Sequence, residues 1–182
     1  MELHHGRPSD MTGRQEREIR VYDFLDRLGI EYWQTDHEKE AYTMEDCLEV
    51  DAVLEATVCK NLFLCNRKKT QHYLLMMPGD KPFKTKELSG QQGLTRLSFA
   101  HEDKMLELLD IHPGAVSVMG LMNDREHQVQ LLIDEDVLQG EFLGCHPCVN
   151  TASLKIRMKD ILEKFLPAVE HDYLVVKLTG EV

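Results

Sequence analysis

Two apolar runs joined by a short basic segment constrain the fold of this chain more than any other feature. The first run is "TVCKNLFLCN" (residues 57–66), the second is "HYLLMMP" (residues 72–78), and "RKKTQ" connects them. Apolar runs of strand length on either side of a short polar tip predict a β-hairpin. The rest of the chain must therefore be arranged around a sheet that contains this hairpin.

The remaining segments alternate between helical and strand patterns. Apolar positions at helical spacing predict a helix over residues 14–28, and Gly29 is a natural stop for it. Further helices are predicted at 43–48, 101–111 and 158–166, and a helix-like segment is predicted between "PGDKPFKTKELSG" (78–90) and residue 96. Further strands are predicted at 30–35, 96–100, 115–121, 129–134, 141–147 and 173–178. This order, without repeats or linkers, predicts an α/β (α+β) fold: a single domain over residues 14–182 with a mixed, largely antiparallel central sheet flanked by helices. Residues 1–13 are polar and unpatterned, and we expect a flexible N-terminal arm.

Composition excludes several classes of protein. The 182 residues, 42% of them hydrophobic, suffice for one domain with a real core. No apolar run approaches the length of a membrane span, and the polar N-terminus lacks the apolar core of a signal peptide. Five cysteines at irregular spacing do not form a secreted disulfide framework. We therefore expect a cytoplasmic protein with reduced thiols and no membrane partner.

Charge is distributed unevenly along the chain. The net charge of −11 disfavours broad binding to DNA, yet residues 56–86 hold seven basic residues and one acid. That window carries +6 and the other residues carry −17. The window is either a solvated hairpin tip or an anchor for a short piece of nucleic acid, and the sequence leaves both readings open.

The stretch "GCHPCVN" (residues 144–150) places His146 between Cys145 and Cys148. A thioredoxin-like C-x-x-C lies early in its fold, at a helix N-terminus, whereas here the following "VNTASLKI" is predicted to be extended. A zinc site needs two more ligands at matching spacing, and no second C-x-x-C occurs. Redox and zinc sites are therefore the lesser alternatives, and we expect no metal and no cofactor.

The other residues of this stretch are better candidates for function. Gly144 lets the backbone turn or approach a ligand closely, and Pro147 fixes the loop that follows. Together they present His146 on a rigid loop at the end of a strand. Asn150 completes the set of candidate residues.

Five segments occur in one order and at one set of spacings: "CKNLFL" (59–64), "YLLMMPGDK" (73–81), "RLSFA" (96–100), "PGAVSVMGLMND" (113–124) and "GCHPCVNTASL" (144–154). Together they resemble the YbaK/prolyl-tRNA-synthetase-associated domain family, and within it the ProX-type free-standing prolyl-tRNA editing proteins. The resemblance extends from about residue 17 to residue 178.

The resemblance implies a trans-editing aminoacyl-tRNA deacylase that hydrolyses mischarged tRNA(Pro), with Ala-tRNA(Pro) as the expected substrate. Such an activity is needed because a proline pocket rejects alanine by only about 1–3 kcal/mol per missing methylene. The implied partner is the tRNA 3′ acceptor end, and prolyl-tRNA synthetase is an open second partner. Cys-tRNA(Pro) or Ser-tRNA as substrate, and a non-catalytic tRNA- or synthetase-binding module, are the alternatives.

The resemblance also implies catalytic roles. Lys60 matches the family's lysine, and its ammonium suits a phosphate near the tRNA 3′ end or a polarised ester carbonyl. Asn61 would donate to the same carbonyl, although consecutive strand residues face opposite sides unless the strand is bulged. His146 would position water or the substrate amine, and Asn150 would anchor its loop or contact the adenosine. Because no nucleophile is evident, we expect direct attack by water, with the free ribose hydroxyl as an optional assistant.

Two segments depart from the family pattern. The G-x-x-x-P loop, which helps to seat the substrate, begins here at Gly114 and has Val118 where proline is usual. Near the N-terminus, His37 precedes glutamate instead of proline, and Thr43 follows tyrosine where family members often read "FT". The expected substrate-binding residues are Gly114, Val118, Gly144, Pro147, Asn150, His37 and Thr43. The expected tRNA-binding residues are Arg67, Lys68, Lys69 and Lys81.

Overall fold

The computed structural model describes residues 2–37 and 50–181. The strands are β1 (Leu3–His5), β2 (Tyr32–Asp36), β3 (Thr57–Cys65), β4 (His72–Pro78), β5 (Ser98–Phe99), β6 (Val129–Asp134), β7 (Phe142–Cys145), β8 (Ala152–Arg157) and β9 (Tyr173–Val176). The helices are α1 (Glu16–Arg27), α2 (Thr85–Gln92), α3 (Glu102–Leu109), α4 (Glu135–Leu138) and α5 (residues 158–168, π-helical at Ile161–Phe165), with a 3₁₀ helix at Val118–Asn123. In this part of the chain, no helix is long and apolar enough to cross a membrane. The helix predicted at 43–48 lies outside the described residues.

The described strands form one sheet in the order β1-β2-β8-β7-β3-β4-β6-β9, and β5 pairs with the end of β3. The predicted hairpin is confirmed as β3 and β4, which pair antiparallel over their length. Pairing is parallel between β3 and β7, β4 and β6, and β6 and β9, and antiparallel elsewhere. The sheet is therefore mixed and largely antiparallel, as the sequence predicts.

Hydrophobic cores form on both faces of the sheet. The larger core lies under α1, the 3₁₀ helix and α5, and the amphipathic helix α1 contributes Val21, Tyr22 and Leu25 to it. The smaller core lies under α2, whose Leu88 packs with Leu75 and Met77 of β4. Because β3 alternates its side chains between these cores, consecutive residues of β3 face different sides of the sheet.

The first residues differ from the expected flexible arm. Leu3–His5 pair antiparallel with β2, and the ring of His5 stacks on Trp33 with their centroids 5.2 Å apart. The hydroxyl of Thr35 also donates to the carbonyl of Glu2 at 2.8 Å. A three-residue strand at the sheet edge is too short and too polar to produce an alternating sequence pattern, which is why the sequence analysis missed it.

The strand predicted at residues 115–121 is wrong, because this segment enters a 3₁₀ helix at Val118. Ser117 begins the helix, since its hydroxyl accepts a hydrogen bond from the backbone N–H of Met119 at 3.1 Å. Gly120 allows close packing, because a Cβ there would lie 2.7 Å from Cδ1 of Ile111. The alternating small and β-branched residues suggested a strand, but the serine cap determines the local structure.

A buried ion pair holds the chain after α5 against the end of the 3₁₀ helix. Nε2 of His171 lies 2.9 Å from Oδ2 of Asp124, and both side chains are buried. Asp124 also accepts hydrogen bonds from the backbone N–H groups of Gln128 and Val129. Burial opposes ionisation of Asp124, but the bonds from His171, Gln128 and Val129 outweigh it and hold the pKa of Asp124 below its ordinary value.

Replacing Asp124 by asparagine should therefore change how stability depends on pH. Its folded pKa lies below the unfolded value of about 3.9, so its contribution is present above that pH and is lost as pH falls through the folded pKa. We expect Asp124→Asn to lower the free energy of unfolding at pH 7 by about 3 kcal/mol and to flatten the loss of stability below about pH 4, measured by urea denaturation. The exposed Asp172→Asn is the control, and equal pH dependence in the two variants would contradict this account.

Candidate active site

The sheet has an opening along one edge of β3, which we call the notch. On this edge β3 pairs with β7 at residues 57 and 58 and with β5 at residues 64 and 65. No described strand pairs with residues 59–62 between them. Two loops lie beside the notch: residues 112–117, before the 3₁₀ helix, and residues 146–151, after β7. They approach each other closely, because a Cβ on Gly114 would lie 3.4 Å from Nδ2 of Asn150.

Lys60 and Asn61 border the notch from opposite faces of the sheet. Nζ of Lys60 donates to the backbone carbonyl of Lys81 at 2.5 Å, on the face covered by α2. Asn61 instead lines a cavity beside Met105 of α3. The strand therefore keeps its normal alternation, and the two side chains cannot approach one ligand from the same side.

His146 follows β7 and is held in one orientation by the backbone. Its Nδ1 lies 2.9 Å from the carbonyl oxygen of Ala152, which can only accept, so Nδ1 carries the proton. Burial lowers the pKa of His146, the Ala152 carbonyl opposes that shift, and the nearby His37 adds to it. The imidazole is therefore neutral at neutral pH and exposes Nε2 as a proton acceptor. Among the described residues, none hydrogen-bonds to this nitrogen.

His37 and Ser153 lie beside His146. Nε2 of His37 lies 3.0 Å from the hydroxyl oxygen of Ser153, and the His37 and His146 rings meet edge to face with centroids 6.2 Å apart. The backbone N–H of His37 donates to the carbonyl of Thr151 at 2.9 Å, which fixes the end of β2 against the loop after β7. Three polar side chains from separate segments thus converge at one point.

The strand register places this cluster on the same side of the sheet as Lys60. Gly144 is paired with residue 58 in parallel register and with Lys155 in antiparallel register. Lys60 lies two residues from residue 58 and Ser153 lies two residues from Lys155, and residues two apart on a strand face the same way.

The remaining predicted substrate-binding residues support the loops. Gly114 has φ of +92°, a conformation that favours glycine, so its loop is shaped by the backbone. Pro147 is buried in the loop that carries His146. Val118 is fully buried in the core, so it supports the loop from within rather than facing a ligand. Thr43 lies outside the described residues.

The cysteines of the C-x-x-C stretch are buried, as is most of Cys59. Burial raises the pKa of Cys145 and of Cys59 to about 12 each, and it raises that of Cys148 still further. Protonated thiols are poor nucleophiles and poor metal ligands, which disfavours the redox and zinc alternatives. The part of the chain that the structure describes contains no group of three or more His, Cys, Asp or Glu side chains placed to hold a metal ion.

The basic residues predicted to bind tRNA divide into two groups. Arg67, Lys68 and Lys69 are exposed in the β3–β4 turn, which Asn66 closes by accepting from the N–H of Thr70 at 2.8 Å. Lys81 differs from these three residues. Its Nζ lies 2.9 Å from the buried carboxylate of Asp134 and 2.8 Å from that of Asp136, and it also donates to the carbonyl of Leu178. Its charge is neutralised and its donors are occupied, which disfavours its prediction as a phosphate ligand.

Sequence reasoning missed Ser153 and the carboxylate Asp134. A single serine within a predicted strand carries no signal until the register of β8 with β2 is known. Asp134 ends an apolar strand, where an acid normally reads as the beginning of the next helix, and its side chain does accept from the N–H of Asp136. Its full burial beside Lys81 is a tertiary feature.

Comparisons with known proteins find relatives over most of the chain. A family model described as "Aminoacyl-tRNA editing domain" matches residues 38–164. The "Prolyl-tRNA editing protein ProX" of Acetoanaerobium sticklandii is 33% identical over 169 residues, covering 93% of this chain and 99% of the relative. "Prolyl-tRNA synthetase associated domain-containing protein 1" of Danio rerio is 32% identical over 156 residues, covering 85% and 83%, respectively.

The fold is also similar to a solved structure described as a candidate trans-editing enzyme for prolyl tRNA synthetase. That structure superposes with a TM-score of 0.68 at 15% identity, over 92% of this chain and 100% of the other. The likeness concerns the fold alone. Together with the family match over most of the chain, it defines a mixed α/β domain of the editing type. This chain belongs to the aminoacyl-tRNA editing domain family.

The buried thiols allow the thiol-based alternative to be tested without an activity assay. A pKa near 12 lowers the thiolate fraction of Cys145 at pH 8 roughly a thousandfold relative to an ordinary cysteine. We expect iodoacetamide to label Cys145 and Cys148 at least about a hundredfold more slowly in the folded protein than in urea. Peptide mass spectrometry measures both rates. Rapid labelling of either cysteine in the folded protein would restore the thiol alternative.

Proposed function

We propose that this protein is a trans-editing aminoacyl-tRNA deacylase that hydrolyses mischarged tRNA(Pro), with alanine as the amino acid removed. The observation that carries the proposal is His146, which donates from Nδ1 to the Ala152 carbonyl and leaves Nε2 open beside His37 and Ser153. The printed names of two relatives, a prolyl-tRNA editing protein and a prolyl-tRNA synthetase associated protein, support it.

The proposed reaction is direct hydrolysis of the ester. His146 accepts a hydrogen bond at Nε2 from the attacking water, and the Ala152 carbonyl keeps the ring in the required tautomer. Water adds to the ester carbonyl carbon as its proton moves to Nε2. The tetrahedral intermediate then expels the terminal ribose oxygen, which takes up the proton held at Nε2, so that a free amino acid, intact tRNA and neutral His146 result.

Lys60 supplies positive charge to this reaction. One N–H of its ammonium is held by the carbonyl of Lys81, and the other two have no hydrogen-bond partner among the described residues. They can donate to the ester oxygen as it becomes negative or to a nearby phosphate. Lys81 positions Lys60, because Asp134 and Asp136 hold Lys81 in place. Lys81, which the sequence analysis expects to bind tRNA, thus acts in this proposal through its backbone carbonyl.

Alanine and tRNA(Pro) are the finer parts of the proposal. A pocket that admits alanine and excludes proline by size would complete the discrimination that a proline pocket cannot achieve alone. Cysteine or serine esters would require the same chemistry, so the choice among them depends on the shape of the pocket. The proposed partner is the tRNA acceptor end, and prolyl-tRNA synthetase is the proposed source of the substrate. The proposed location is the cytoplasm.

The role of His146 predicts a pH dependence. Its pKa lies below the ordinary value of about 6.5, so the rate constant for deacylation should be level at neutral pH and fall only below that value as Nε2 takes up a proton. His146→Ala should lower the rate about 10²- to 10³-fold and remove this acid limb. Single-turnover deacylation of Ala-tRNA(Pro) between pH 5 and 8 measures both effects.

The control for this experiment is His127→Ala, which removes a partly exposed histidine from the cavity between α1 and the 3₁₀ helix. It should retain the wild-type rate and profile. If His146→Ala keeps an unchanged acid limb, another group accepts the proton and the proposed mechanism is wrong.

The proposed role of Lys60 predicts that its removal lowers deacylation activity without unfolding the protein. Lys60→Ala should lower kcat/KM for Ala-tRNA(Pro) about 10²- to 10³-fold, because the developing negative charge loses its donor. The exposed Lys84→Ala, at the start of α2, has the same change in charge and should have little effect. Urea denaturation checks that Lys60→Ala remains folded. Wild-type turnover by folded Lys60→Ala protein would remove Lys60 from the mechanism.

A further inference from the structure

A groove of about 590 Å³ leads away from the notch along the face of α3. It begins at Asn61 in the middle of β3 and reaches Lys69 in the β3–β4 turn. Between these ends it is mostly apolar. Residues that line it include Asn61, Lys69, Phe99, His101, Met105 and Val116. We call this the Phe99 groove.

Phe99 is the most exposed of the large hydrophobic side chains in the described part of the chain, with 64% of its surface accessible. It belongs to the two-residue strand β5, which pairs only with the end of β3. On the protein side its ring meets Phe83 edge to face, with centroids 6.0 Å apart. An aromatic ring held by a strand but left open to solvent is a suitable stacking surface for a nucleobase.

The outer end of the groove is positively charged. Lys69 lines the groove, and Arg67 and Lys68 lie beside it in the same exposed turn. None of the described ion pairs includes these three cations, although the chain carries a net charge of −11. One carboxylate, Glu102, lies in the lining. Unneutralised cations at one end and an open aromatic ring in the middle match a strand that carries both phosphates and bases.

We propose that the Phe99 groove binds the unpaired 3′-terminal nucleotides of the RNA substrate. One base stacks on Phe99, the phosphates approach the cations of the β3–β4 turn, and the aminoacylated end passes Asn61 and enters the notch, through which it reaches Lys60 and His146 on the opposite face of the sheet. A volume of about 590 Å³ is sufficient for a nucleoside. This inference rests on the proposed function, because it assigns the path by which the substrate of that reaction enters.

Fluorescence offers a direct test with the folded protein. The chain has a single tryptophan, Trp33, which lies in β2, separated from β3 by β8 and β7. In a Trp33→Phe protein that also carries Phe99→Trp, titration with the trinucleotide CCA should quench the tryptophan emission saturably. Adding Lys68→Glu and Lys69→Glu should weaken that binding and flatten its salt dependence, which should have a log–log slope of about −1.4 for two phosphates.

The matched control is the wild-type protein, in which Trp33 should not be quenched. Absence of quenching in the Phe99→Trp reporter protein would contradict the assignment of the groove. Equal quenching of Trp33 in the wild-type protein, or quenching that the charge reversals leave unchanged, would also overturn it. Saturable quenching by an apolar peptide but not by CCA would instead make the groove a protein-binding site and overturn the proposal.

Kinetics separate this inference from the proposed function. Phe99→Ala and Phe99→Leu should raise KM for Ala-tRNA(Pro) about 5- to 100-fold with kcat within about twofold, whereas Phe99→Tyr should restore KM. Active wild-type protein whose KM is unchanged by Phe99→Ala would contradict the groove alone. An inactive wild-type protein that still binds CCA through Phe99 would contradict the deacylase proposal and leave the groove assigned.

Discussion

The incomplete pairing of β3 is the constraint on which the candidate site depends. β3 joins the two halves of the sheet, yet it shares only two registered pairs with β7 and two with β5. The hairpin with β4 must therefore hold β3 in place, and it does so over seven registered pairs with apolar side chains on both faces. A strand held firmly on one edge can leave its other edge open without loss of order. That opening gives loops from separate parts of the chain a common place to meet.

Charge is organised around the same strand. The chain is strongly acidic, and two of its carboxylates, Asp134 and Asp136, are used to fix Lys81. Lys81 in turn presents a carbonyl to Lys60, so one cation is neutralised and the next remains available at the notch. On the neighbouring loop, His146 donates from Nδ1 to the Ala152 carbonyl, and burial lowers its pKa, so the imidazole is neutral at neutral pH. The proposed site thus pairs a cation on β3 with a proton acceptor on the loop after β7.

Much of the fold follows from local pattern. The hairpin, α1 and β6 are found where local sequence patterns predict them, because each buries a face whose period is set by its own geometry. Local pattern fails where tertiary structure decides. Leu3–His5 become a strand only because β2 offers an edge, and Val118 enters a 3₁₀ helix because Ser117 caps it.

The site could be predicted only in part for the same reason. Lys60 and His146 are recognisable from motifs, and strand alternation alone separates Lys60 from Asn61. The ion pairs of Lys81 could not be predicted, because a lysine in a basic window has the same sequence pattern whether its partner is a phosphate or the buried Asp134. Ser153 and Phe99 became visible only through register and exposure.

The measurement that tests the central claim most directly is single-turnover deacylation across a panel of charged tRNAs. The panel comprises Ala-tRNA(Pro), Cys-tRNA(Pro), a Ser-tRNA and correctly charged Pro-tRNA(Pro). The account predicts rapid hydrolysis of Ala-tRNA(Pro), with Pro-tRNA(Pro) left at its uncatalysed rate. Uncatalysed rates for every member of the panel would contradict it, and so would hydrolysis of Pro-tRNA(Pro) as fast as that of Ala-tRNA(Pro).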